Sequence, residues 1–223
     1  MEIEIDALEE TNTWTVCSSP AGKEPIGCKW VFKVKLNADG SLERFKARLV
    51  AKGYTQKDGV DYVDTFSPIA KMTTVKTLLS VAAAKEWSIH QLEISNAFLN
   101  ADLKEEIYMK LPPGYSMKKG GVLPENAVLR LQKSLYGVKQ ASRQWYLKVS
   151  STLQGLNFRK SHSDHTLFIR KTGKVYIALL VYVDDIVIAG NDDEAIDQLK
   201  KDLAKAFKLR EKQSEALRAC RVT

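Results

Sequence analysis

The sequence predicts an α+β fold, with an antiparallel sheet of split βαβ type packed on helices. Three observations predict it. Apolar alternation flanking the turn-forming residues Asn37-Ala-Asp-Gly marks a hairpin near residue 40. Apolar residues recur at helical spacing in three separate stretches. Between the second and third of these lies a strongly β-branched stretch, 174–189, interrupted only by Asp184-Asp185.

The elements follow in order. Residues 1–12 read as a polar leader with the character of a short helix. The stretch 30–36, Trp-Val-Phe-Lys-Val-Lys-Leu, reads as a strand, and 45–52 as its returning partner. Residues 73–85 carry Val75, Leu78, Leu79 and Ala82 at helical intervals. Residues 89–94 form a short strand leading into Ser-Asn-Ala-Phe. Pro112-Pro113-Gly114 opens a loop that continues through 118–126. From Ala141 the residues Trp145, Val149 and Leu153 mark a helix that Gly155 stops. Asn191-Asp-Asp-Glu caps a last helix with Ile196, Leu199, Leu203 and Phe207 on one side. Its early acids and its later Lys200, Lys201, Lys205 and Lys208 suit the helix dipole. A final sheet strand should follow, but residues 211–223 do not look like one. The expected division is a leader at 1–12, a region at 13–86 bearing the hairpin, a second region at 87–210 and a divergent tail at 211–223.

The chain has 223 residues, 44% hydrophobic and 27% charged, enough apolar material for a sizeable core. The longest apolar run, near 175–183, is too short to span a membrane, and the acidic start lacks the basic region of a secretory signal. Cys17, Cys28 and Cys220 are odd in number and widely spaced, which argues against a disulfide framework or a zinc knuckle. An intracellular protein is expected. The net charge is +7, and it is unevenly spread. Between residues 29 and 57 lie Lys29, Lys33, Lys35, Arg44, Lys46, Arg48, Lys52 and Lys57, against only Asp39 and Glu43. Such a hairpin is either a solvated basic face or the seat of a polyanion.

Asp184-Asp185 sits between two stretches apolar enough to be buried on both faces. Desolvating an unpaired carboxylate costs several kcal/mol, so the pair needs cations or water. Mg²⁺ takes one or two carboxylates plus substrate phosphates at roughly 2.0–2.1 Å. Two such ions can activate an attacking oxygen and stabilise a leaving one in phosphoryl transfer. The plainer reading is a polar hairpin turn, although Asn-Gly or Asp-Gly would be commoner there. Because adjacent strand residues point to opposite faces, a second acidic position is needed, and Glu93 at the end of 89–94 supplies it. Taken alone, Glu93 also fits a solvated strand end.

Other features carry less. His162-Ser-Asp-His165 lacks the further ligands a zinc site needs. No Gly-x-x-x-x-Gly-Lys loop occurs, which argues against a P-loop ATPase. Trp30, Trp87 and Trp145 lie in periodic apolar segments and read as core.

Together the segments resemble the reverse transcriptase of copia-type long-terminal-repeat retrotransposons. The likeness rests on Pro25-Ile-Gly-Cys-Lys-Trp-Val-Phe-Lys-Val-Lys, Arg44-Phe-Lys-Ala-Arg-Leu-Val-Ala-Lys-Gly and Asp61-Tyr-Val-Asp-Thr-Phe-Ser-Pro. It continues through Asn96-Ala-Phe-Leu-Asn, Ser134-Leu-Tyr-Gly-Val-Lys-Gln-Ala and Tyr182-Val-Asp-Asp. The resemblance implies a fingers-and-palm fold, with fingers at 13–86 and a ferredoxin-like palm at 87–210. It also implies an RNA-directed DNA polymerase that extends a primer with deoxynucleoside triphosphates on an RNA or DNA template. Tyr182, Val183, Asp184 and Asp185 match the family's Tyr-x-Asp-Asp motif. Asp184, Asp185 and Glu93 would hold two Mg²⁺, or Mn²⁺. Lys46 and Arg48 would grip the triphosphate, and Phe98 would crowd a ribose 2′-hydroxyl. Gly137, Lys139 and Gln140 would lie under the template and nucleotide. The resemblance further implies integrase and ribonuclease H as companion domains of one polyprotein. It implies no membrane partner, and a cytoplasmic or virus-like-particle location with the nucleus as an alternative.

Two departures from the family pattern stand out. Glu93 replaces an Asp and is one methylene longer, and a ligand displaced by about 1 Å can lower rate on the order of 100-fold. The family pattern also ends at Arg210, with the last palm strand, thumb and ribonuclease H expected to be missing. A degenerate copy that only holds nucleic acid is therefore a second reading. A receiver-like phosphoacceptor, in which an acidic pair ends a strand and binds Mg²⁺, is a third.

Overall fold

Turn chemistry and apolar alternation lay the chain out as short strands interleaved with helices. The computed structural model describes residues 1–116 and 121–212. In chain order the elements are α1 (Glu2–Glu10), β1 (Trp14–Ser18), β2 (Cys28–Leu36), β3 (Leu42–Ala51), α2 (Met72–Ala84), β4 (Ser88–Ile94), β5 (Tyr108–Lys110) and β6 (Ala127–Leu131). They continue as α3 (Ala141–Gly155), β7 (Arg159–Lys160), β8 (Leu167–Thr172), β9 (Val175–Tyr182), β10 (Asp185–Gly190), α4 (Asp193–Ala206) and β11 (Leu209–Lys212). The chain divides into two compact units that interleave in sequence: Met1–Phe66 with Phe98–Gln144, and Ser67–Ala97 with everything from Trp145 on.

In the first unit β2 and β3 form a two-stranded antiparallel hairpin, and β1, β6 and β5 form a three-stranded sheet in that order. The hairpin turns at Asn37–Gly40, where Gly40 has φ +83° and the Asp39 carboxylate accepts from the Ser41 amide at 2.9 Å. Leu8, Trp14, Leu49, Met109, Leu129 and Leu135 make one core. Gly137 has φ +90°, and a methyl carbon added there would overlap the Ala51 carbonyl oxygen. Only glycine allows that approach, which the Ala51 amide completes by donating to the Tyr136 carbonyl at 2.7 Å. The strands β1, β5 and β6 run only three to five residues, too few for their periodicity to show in the sequence.

The second unit carries a six-stranded antiparallel sheet in the order β11-β4-β10-β9-β8-β7. Four of its strands with two helices, β4-α3-β9-β10-α4-β11, form a complete split βαβ arrangement, because β10 inserts between β4 and β9. Ile177, Leu179, Ile186 and Ile188 on one face and Ala178, Leu180 and Ala189 on the other are buried, so both faces of β9–β10 are covered. Asp192 caps α4 as expected, accepting from the Ala195 amide at 2.8 Å.

Three expectations are corrected. The last palm strand is present: β11 pairs with β4, Leu209 opposite Ile94 and Arg210 opposite Glu93. It escaped notice because it is a short edge strand of Leu-Arg-Glu-Lys, three of whose four residues are exposed and charged, which is how natural sheets blunt an edge. The rest of the expected divergent tail, 213–223 with Cys220, lies outside the described residues. The division is also not contiguous at residue 86. Leu78 and Ala82 of α2 cluster with Ala178, Leu180 and Ala189, which draws 67–86 to the second unit. The pairing of β5 and β6 with β1 returns 98–144 to the first. Finally, the receiver reading falls, because the acidic pair lies between antiparallel strands and not at the head of a parallel βα unit. Among the described residues no helix is long and apolar enough to cross a membrane.

Candidate active site

The acidic pair occupies a tight turn of the six-stranded sheet. Tyr182 ends β9 and pairs with Asp185, the first residue of β10, leaving Val183 and Asp184 as a two-residue connection. Val183 has φ +50°, a conformation that β-branched residues rarely adopt and that costs on the order of 1–3 kcal/mol. Two tertiary contacts hold it there. The indole N–H of Trp145, a residue only 2% exposed, donates to the Val183 carbonyl at 2.6 Å. The Ile94 amide of β4 donates to the Asp184 carbonyl at 2.7 Å. Phe207 packs edge-on against Trp145, with ring centroids 5.2 Å apart. The turn is therefore clamped from α3 and β4 rather than made by its own residues.

The register of β10 on β4 sets Asp185 directly opposite Glu93. Their carboxylates meet one cation, the Lys212 ammonium of β11, which lies 2.8 Å from Asp185 Oδ1 and 3.4 Å from Glu93 Oε2. Gln91 Nε2 donates to the same Asp185 oxygen at 3.2 Å. The hydrogen bond to Asp185, with the attraction of both carboxylates, raises the Lys212 ammonium above its usual pKa. The structure thus brings together two of the three expected acids. Asp184 is half-buried on the turn, and among the described residues no three His, Cys, Asp or Glu side chains are gathered for one ion. Two carboxylates converging on one positive centre suit a hard cation that takes its remaining ligands from water and phosphate, with Lys212 standing in for it.

The expected nucleotide-binding residues lie in the first unit. Lys46 and Arg48 share a face of β3. Burial, then the like charges of Arg48, Arg44 and Lys35, push the Lys46 ammonium below its usual pKa, with Glu4 opposing. That crowding of cations favours an anion. Burial likewise pushes the Glu4 carboxyl of α1 up, against a hydrogen bond from the Leu49 backbone and the attraction of Arg48 and Lys46. The Arg48 guanidinium lies 5.0 Å from the centre of the Tyr136 ring, and Phe98 meets that ring edge-on at 5.0 Å. Tyr136 thereby joins two of the expected contacts. Lys139 is exposed but turned inward, its ammonium donating to Tyr62 Oη at 3.0 Å and lying over that ring. Gln140 is fully buried, accepting from Gln56 Nε2 at 3.1 Å and donating to the Asp61 carbonyl at 3.0 Å. It braces the 53–62 segment from behind.

Sequence reasoning missed Trp145, Lys212 and Gln91 as parts of the site. Helical spacing marks Trp145 as core, which it is, but gives no sign of where its N–H points. Asp164, set aside as a metal ligand, is 5% exposed and caps α2. It accepts from the Lys71 amide at 3.1 Å, Thr74 Oγ1 at 2.6 Å and both the amide and hydroxyl of Thr166. Burial pushes its carboxyl up, but these bonds together outweigh burial and hold it at about 2.

Comparison with known proteins bears on the whole chain. The family model described as reverse transcriptase (RNA-dependent DNA polymerase) matches residues 11–216. Over 212 residues the chain is 42% identical to the retrovirus-related Pol polyprotein from transposon TNT 1-94 of Nicotiana tabacum, covering 95% of this chain and 16% of that one. It is 43% identical over 212 residues to the corresponding polyprotein from transposon RE1 of Arabidopsis thaliana, covering 95% of this chain and 14% of the relative. Among solved structures, the protease-reverse transcriptase of prototype foamy virus aligns with 93% of this chain and 22% of its own, at 16% identity and a TM-score of 0.44. With the family's motifs in order along both units and the match running nearly from end to end, this chain belongs to the reverse transcriptase family, and its likeness is to the copia-type retrotransposons.

Proposed function

We infer that this chain is the fingers-and-palm segment of an RNA-directed DNA polymerase, carried with integrase and ribonuclease H domains in one intracellular Pol polyprotein. It extends a primer 3′-hydroxyl with deoxynucleoside triphosphates on an RNA or DNA template. One observation carries the reading: Glu93 and Asp185 face each other across β4 and β10 and share one positive charge, beside a turn held in a strained shape by Trp145. Glu93 and Asp185, with Asp184 of the adjoining turn, would hold two Mg²⁺, or Mn²⁺, which supply charge neutralisation for phosphoryl transfer. Lys46 and Arg48 bind the triphosphate, Lys as a point charge and Arg through its planar fork. Phe98, braced by Tyr136, excludes a 2′-hydroxyl by bulk. The primer oxygen bonds to the α-phosphorus, the bond to the β-phosphate oxygen breaks, pyrophosphate leaves, and the hydroxyl proton passes to solvent.

Primer extension in Mg²⁺ tests the reading. Asp185→Asn is expected to lower extension at least 100-fold, and Glu93→Asp to raise it several-fold by restoring the shorter side chain. Extension that survives Asp185→Asn sinks the proposal. Occupation of the shared cation position by Lys212 favours a second reading, a chain that binds primer-template without extending it. Primer-template binding with no extension, even in Glu93→Asp, would select that reading.

A further inference from the structure

We propose that Lys212 is a built-in counter-cation of the Glu93–Asp185 pair, which a divalent cation must displace in order to bind. The inference rests on the reading of these carboxylates as metal ligands. Like charges directly opposite on neighbouring strands repel, and here the neutralising charge comes from the adjacent edge strand. Lys212 pairs with Gln91, two residues along β4 from Glu93, so its flexible stem reaches diagonally to both carboxylates. The strand that presents it is anchored from its other face. Glu211 accepts from the Lys200 ammonium at 2.8 Å and lies 3.3 Å from His90 Nδ1, and the Ser95 amide donates to the Lys208 carbonyl at 2.9 Å. Register, and with it the reach of Lys212, is thus set independently of the site.

An ammonium offers three donors and no acceptor, so it can neutralise the carboxylates but cannot bridge them to a phosphate. A divalent ion that bonds Asp185 Oδ1 needs the space the ammonium fills, so the two compete for one position. The Lys212 side chain is 39% exposed and can swing into solvent while β11 stays paired.

Mn²⁺ binding to the whole chain, followed by electron paramagnetic resonance of the free ion, tests this without reference to catalysis. Lys212→Gln is expected to tighten binding about two- to fivefold, the range of a partly exposed ion pair. Lys212→Arg should bind no tighter than the parent. Lys205→Gln removes the same charge from a surface pair with Asp202 and should leave affinity unchanged. Thermal melting of each variant establishes that β11 and the fold persist. Equal or weaker binding by Lys212→Gln, or equal tightening by Lys205→Gln, overturns the proposal while leaving the metal-ligand reading intact. Unchanged affinity in Asp185→Asn, or no measurable binding by either the parent or Lys212→Gln, removes that reading and the proposal with it.

Discussion

Two hairpins of the protein, β2–β3 and β9–β10, are built on opposite principles. In β2–β3 the turn is made by its own residues: Gly40 takes the positive φ and Asp39 bonds Ser41 two residues on. Its flanks are open, with Phe32 68% and Phe45 77% exposed, and basic residues line it. In β9–β10 most of both strands is buried, and the positive φ falls on a valine that no local rule would place there. What holds Val183 comes from elsewhere, through the Trp145 indole and the β4 backbone. Asp184 and Asp185 sit on the second hairpin. A local rule is broken where side chains must be aimed, and the surrounding packing sustains the strain.

The clamp on the β9–β10 turn carries the largest expected effect. Trp145→Ala is expected to cost about 3–5 kcal/mol in urea unfolding, from lost packing and an orphaned Val183 carbonyl. Trp145→Phe should retain most of the stability yet lose much of the primer extension. If both variants lose stability and activity in proportion, the indole bond does not aim the turn.

A second long-range clamp, Asp164 on α2, gives the next effect. Its carboxyl is held at about 2, below the ordinary 3.8. The stability it contributes, on the order of 2 kcal/mol, is therefore fully present above about pH 4 and lost as pH falls through the range toward 2. Urea midpoints measured between pH 5 and 2 should fall more steeply for the parent than for Asp164→Asn. Parallel slopes would show that the cap contributes nothing through its charge.

The smallest and sharpest contrast exchanges the turn residues. Gly40→Ala should destabilise by about 1 kcal/mol, because alanine resists φ +83°. Val183→Gly should stabilise by about 0.5 kcal/mol, strain relief being partly offset by the freedom glycine adds to the unfolded chain. Thermal melting distinguishes the signs. Destabilisation by both would mean that Val183 is not strained.

Legibility followed the range of the forces involved. The β2–β3 turn, the α4 cap at Asp192, the core faces of α3 and α4 and the acidic pair itself were readable, because each is written within a few neighbouring residues. Glu93 was readable only as a strand-end acid, and its place opposite Asp185 depends on a register that long-range pairing sets. β11 was missed because a four-residue charged edge has no periodicity to read. Lys139 and Gln140 were assigned to the nucleotide by resemblance, and their contacts with Gln56, Asp61 and Tyr62 were not legible because they join segments some eighty residues apart.

By itself the sequence determined the α+β class, the basic hairpin, the family and the Asp184-Asp185 motif, since composition, periodicity and motif order need no coordinates. Tertiary structure alone decided that β11 completes the palm sheet, that Trp145 aims the turn and that Lys212 sits between Glu93 and Asp185. These depend on strand register and side-chain direction, which arise only when segments far apart in the chain pack together.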